Sequence, residues 1–186
     1  MSDHGFKLFI RGINLNSWLY KNGYLAVKND NLSGEYLQNV DWSKTKAYAL
    51  GLAGMYLNME GRENNGIVKP GKEAQQLKSE LIKKLSGLKD PDNGKTAINK
   101  LYNSSNIYNG PYRTNAPDLI VGYNEGYRVS WDAAIGKVNN TVFENNTKNW
   151  SGDHGVDRAA PGPLAEPRQR GEDRRRVALG GGRFAG

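Results

Sequence analysis

A chain of 186 residues is long enough to bury a core of its own, and 37% hydrophobic content with a mean hydropathy of −0.73 describes a polar protein. No apolar run approaches the roughly 20 residues that a membrane helix requires, no basic-then-apolar leader is present, and the expected location is cytoplasmic by default. The absence of cysteine excludes disulfides and thiolate metal sites. The net charge of +7 is divided: residues 1–154 hold 19 basic and 15 acidic side chains, and residues 155–186 hold 7 arginines against 4 acids. A basic balance spread in this way gives no stripe for nucleic acid, so no specific nucleic-acid partner and no membrane partner is expected.

In chain order, Lys7 to Arg11 opens as a short extended piece. Asn14 to Lys21 follows as a short helix, because Leu15, Trp18 and Leu19 recur at i, i+3 and i+4. Trp18 belongs to the core on this pattern. Asn22-Gly23 turns the chain into a strand over Tyr24–Val27, and Asn29 to Gln38 is a polar loop. Ala47–Leu50 and Met55–Asn58 bracket a second extended region. Lys44, Lys46 and Arg62 lie around it and read as solvated loop charges. Pro70 to Leu88 is the clearest helix, with Leu77, Leu81, Leu85 and Leu88 on one face and Glu73 near the positive end. A pair Glu80–Lys84 adds i,i+4 support, and Asp90-Pro91-Asp92-Asn93-Gly94 stops the element.

Thr96 to Tyr108 carries mixed helix and strand signals, and Leu119–Val121 is a short buried strand. Asp118 before it reads as a loop carboxylate. Gly122 to Trp131 has the pattern of an amphipathic strand pair or hairpin, and Val138 to Asn149 that of a polar connection. After His154 the composition changes: residues 1–154 contain 21 asparagines and residues 155–186 none. The Arg/Gly/Pro-rich tail reads as disordered or as the product of a frame slip.

The only two histidines, His4 and His154, each follow an aspartate and precede a glycine, in Ser2-Asp3-His4-Gly5-Phe6 and Gly152-Asp153-His154-Gly155. An Asp-His pair presents a hard carboxylate oxygen and a borderline imidazole nitrogen on adjacent residues, a combination suited to zinc or a similar divalent ion. Adjacent side chains point apart in regular structure, so both reach one ion only from a turn, which the following glycine permits.

These triplets do not stand alone. Asn14-Leu15-Asn16, Trp18-Leu19 and Asn22-Gly23-Tyr24-Leu25 come next, followed by Val40 to Leu50 (VDWSKTKAYAL), Asn58-Met59-Glu60-Gly61-Arg62 and Ala116-Pro117-Asp118-Leu119-Ile120-Val121. Gly126-Tyr127-Arg128-Val129-Ser130-Trp131 and Trp150 to His154 complete the series. In this order they resemble the later half of the alkaline phosphatase superfamily. Within it they resemble the type I phosphodiesterase/nucleotide pyrophosphatase group of phosphohydrolases and phosphomutases.

The resemblance implies an α/β fold, part of a mostly parallel sheet flanked by helices, with residues 1–154 as the C-terminal portion of a catalytic domain whose N-terminal half is missing. It implies two divalent cations, zinc foremost, acting on a phosphate ester or phosphodiester of a nucleotide or related small molecule. One cation would be held by Asp3 and His4 together with a preceding Asp and a Ser or Thr nucleophile. The other would be held by His154 and a preceding Asp-x-x-x-His set, with Asp153 orienting the imidazole or holding the loop. This sequence offers no counterpart for the nucleophile or those earlier ligands. Catalytic turnover is therefore not expected of the chain alone. Sulfatase-like or phosphomutase-like chemistry and a non-catalytic anion-binding fragment are the alternatives.

Overall fold

The computed structural model describes residues 6–111, 113–148 and 152–154. Strand β1 (Phe6–Ile13) is the longest strand, extending the short piece expected at 7–11. Helix α1 (Leu15–Lys21) follows at once, because Asn14 caps it: the Asn14 side-chain oxygen accepts from the Ser17 backbone N–H at 3.0 Å. Leu15, Trp18 and Leu19 are buried along its inner face, as their spacing requires.

The strand expected over Tyr24–Val27 does not form. Tyr24 and Leu25 are buried, but only Val27 makes a ladder contact, a single antiparallel bridge to Val40. The Tyr24 carbonyl is instead occupied by the amides of Lys46 and Ala47. Burial alone thus gave this segment its strand-like composition.

Strands β2 (Ala47–Leu50) and β3 (Gly54–Leu57) pair antiparallel and continue through β5 (Leu119–Tyr123) to β4 (Ile98–Asn103). The mixed signals over 96–108 resolve into this strand, fixed by pairing with β5, and a 3-10 turn over Ser104–Asn106. The free edge of β2 is closed by a side chain. Asn16, fully buried, donates to the Ala49 carbonyl at 2.9 Å and accepts from the Ala49 amide at 2.8 Å, imitating a neighbouring strand. Helix α2 (Lys72–Leu85) buries Ala74, Leu77, Leu81 and Leu85 against β4 and sits within the expected 70–88. The Glu80–Lys84 pair forms at 3.0 Å.

The second sheet is built on β1. Strand β6 (Gly126–Val129) runs parallel to it, with Arg11 opposite Tyr127 and Ile13 opposite Val129. Strand β7 (Phe143–Asn145), inside the stretch expected to be a polar connection, pairs antiparallel with Arg11–Ile13. Strand β8 (Gly152–His154) pairs antiparallel with Phe6–Leu8. Between β6 and β7 lies the one-turn helix α3 (Trp131–Ala134), capped by the Ser130 hydroxyl.

The α/β class with sheets flanked by helices is what the structure shows. Among the described strands only β1 and β6 pair parallel, and the other strand pairs are antiparallel. Residues 122–131 do not make a hairpin either, since β5 and β6 belong to different sheets. No described helix is long and apolar enough to cross a membrane.

Candidate metal centre

Asp3 and His4 lie outside the described residues, as does the segment 155–186. Asp153 and His154 are described as backbone in β8. Their position follows from register: His154 stands opposite Phe6, and Asp153 opposite Lys7. Opposed residues of an antiparallel pair have Cα atoms roughly 4.5–5.5 Å apart. His4 is two residues before Phe6, a chain length of at most about 7 Å. The two Asp-His-Gly triplets, 150 positions apart in sequence, are therefore joined to the same end of β1. That end is where the strand begins and β8 finishes.

Other carboxylates along β1 are already committed. Asp90, with no exposed surface, meets the Arg11 Nε at 2.5 Å and accepts from the Tyr127 hydroxyl at 3.1 Å. Arg11 also bonds Asp92 and donates to Asn145 of β7 at 2.5 Å. Burial works against the Arg11 charge, yet the hydrogen bonds and charges of Asp92 and Asp90 outweigh it and hold the guanidinium pKa above its ordinary value. This cluster ties the middle of β1 to the 90–93 turn and commits both Asp90 and Asp92. Among the described residues no group of three His, Asp or Glu side chains is placed to hold a metal.

The basic side chains near β2 and β3 are also accounted for. Arg62 is not a solvated loop charge: it bonds Asp118 at 2.7 Å and Glu63 at 2.8 Å and donates to the Leu57 carbonyl at 2.6 Å. Its opposing charges keep its pKa above the usual arginine value although burial acts the other way. Lys44 is exposed and pairs with Asp41 at 3.2 Å. Asp118, read from sequence as a loop carboxylate, is buried and accepts from the Leu57 amide at 2.8 Å. It fastens β5 to β3. The Ala116-Pro117-Asp118 lead-in to an apolar run was the available signal, but its partner is 61 residues away.

Residues 1–157 match the family model described as Type I phosphodiesterase / nucleotide pyrophosphatase. The chain belongs to that family. No curated protein and no solved structure matches it. The matched stretch of this phosphodiesterase-family chain takes in both Asp-His-Gly triplets and both sheets, and it ends three residues after His154, close to the change in composition. Family membership makes phosphoester hydrolysis the chemistry of the group and a small phosphate ester its class of substrate.

Proposed function

We propose that this chain contributes Asp3, His4 and His154 to a two-cation centre that hydrolyses phosphodiester or phosphomonoester bonds of nucleotides or related small molecules. The observation supporting this reading is the register of β8 on β1, which sets His154 opposite Phe6, two residues from His4. The donors suit the group: one carboxylate oxygen and two imidazole nitrogens match zinc, and no thiolate is available to compete. A divalent pair about 4 Å apart, when bound, neutralises charge on the transferring phosphoryl group and supplies an activated nucleophile.

The work of this chain's own residues is positional. Strand β8 pairs with the start of β1, so the chain leading back to His4 and the strand end that carries His154 leave from one place, which supports a shared centre. Asp153, directly before His154 in β8, takes the supporting role of holding this segment in place, since successive side chains of a strand leave opposite faces. The role proposed for these residues is to hold metal, and the nucleophile and the remaining ligands have no counterpart among them.

Zinc titration of the purified chain by calorimetry tests this. The expected result is saturable binding that His4→Ala and His154→Ala each weaken at least about tenfold, and that Asp153→Ala weakens about 10–100-fold. A phosphodiester such as bis(p-nitrophenyl) phosphate is expected to be hydrolysed no faster than in buffer. Zinc affinity indifferent to both histidines would overturn the site, and metal-dependent turnover would overturn the division of ligands.

A further inference from the structure

A cleft separate from the histidine triplets opens between β1, α3 and the segment 144–148. We propose that it binds a neutral polyhydroxylated ligand, a saccharide ring, through Trp131, Glu144 and the polar groups beside them. The cavity holds about 420 Å³ and is lined by Phe9, Gly12, Trp131, Asp132, Glu144 and Lys148, among others. That volume is within the range of small-molecule sites.

The floor is Gly12. A Cβ there would come within 3.0 Å of the Ser130 Cβ and 3.2 Å of the Glu144 Cγ, so any side chain at this position would fill the space between β1 and β7. The wall is aromatic. Trp131, at the first position of α3, stays 38% exposed, an unusual setting for the largest side chain beside an already formed core. The Arg128 guanidinium lies 4.0 Å from its ring centroid and 4.5 Å from that of Phe9. The Lys148 ammonium sits 5.3 Å from the Trp131 centroid on an exposed, flexible stem that a ligand can displace.

Charge decides the class of ligand. Asp132 is engaged by Asn139 at 3.0 Å and by Lys137 at 3.7 Å. Glu144 has no ion pair among the described residues. Burial, then the neighbouring Asp132, raise its pKa, so this carboxyl gives up its proton reluctantly and is suited to exchanging hydrogen bonds with hydroxyls. Two carboxyl groups, Asp132 and Glu144, thus face two cations, Lys137 and Lys148. A net-charged ligand finds no complementary excess in this balance. A sugar does find a fit, since its C–H face packs on an aromatic ring while its hydroxyls meet Glu144, Asp132 and the amide and hydroxyl groups of 145–147.

Titration of the full chain with glucose, mannose, galactose, N-acetylglucosamine and myo-inositol, followed by tryptophan fluorescence and calorimetry, tests the site. The expected result is saturable binding of at least one of them with Kd on the order of millimolar. Trp131→Ala and Glu144→Ala are each expected to weaken it about tenfold, while His154→Ala leaves it unchanged, which separates this site from the metal centre. Matching circular dichroism certifies that the variants fold, and Glu144→Ala carries the test if Trp131→Ala does not. Failure of every compound to saturate, binding that survives both substitutions, or displacement of the fluorescence change by spermidine or inorganic phosphate instead would overturn the proposal.

Discussion

Arg11 shows how a side chain on a central strand can hold a whole sheet in place. Its partner Asp90 is fully buried, so removing the guanidinium leaves a carboxylate in low dielectric with only hydroxyl and amide partners. Arg11→Met is expected to cost about 3–5 kcal/mol in urea unfolding, and adding Asp90→Asn should recover part of that because no uncompensated charge then remains. Glu144 works in the opposite sense. Its folded pKa is raised above the unfolded value, so in the window between the two the folded chain holds more protons and stability falls as pH rises. Glu144→Gln removes that loss. The variant should be at least as stable as the parent near neutral pH, with a flatter melting-temperature profile across the mildly acidic range. Neither role is legible at the residue itself, since Arg11 and Asp90 are 79 positions apart and the raised pKa comes from burial and then from Asp132 beside Glu144.

Among the elements, those with a complete internal code were legible. Helix α2 carries its apolar face, its acidic first turn and its terminating turn within one stretch, and α1 carries its Asn14 cap beside its apolar triplet. Leu81→Ala on α2 is expected to cost about 2–5 kcal/mol, whereas exposed Lys83→Ala should stay within about 0.5 kcal/mol. Strands β4 and β7 were not legible as such, because pairing rather than composition makes them strands. The edge of β2 shows the same dependence. Asn16→Ala deletes both hydrogen bonds to Ala49 and leaves buried backbone groups unpaired, an expected loss of about 2–4 kcal/mol by thermal or urea melts. A leucine there would fill the volume without restoring the pairing.

At the scale of the molecule, β1 is the common member: it pairs with β6, β7 and β8, and α1 leads from it to the sheet of β2, β3, β5 and β4. Because β8 is a short strand on β1, ligands divided between residues 3–4 and 154 would couple metal binding to the closing of this sheet. Zinc at about 100-fold above its dissociation constant is therefore expected to stabilise the folded chain by about 2.7 kcal/mol, read as a rise in melting temperature. His154→Ala, which weakens zinc at least about tenfold, should cut that rise by about half or more while leaving the metal-free melting temperature nearly unchanged. An equal rise in the variant would place the metal elsewhere.

The residues themselves were enough to reveal the family, the α/β class, two amphipathic helices and the pairing of each histidine with an aspartate and a glycine, because those signals lie within a few positions of one another. The buried Arg11–Asp90 and Arg62–Asp118 ties and the approach of position 154 to position 6 join residues 56–148 positions apart. Such contacts follow from which surfaces pack against each other, and local spacing carries no record of that.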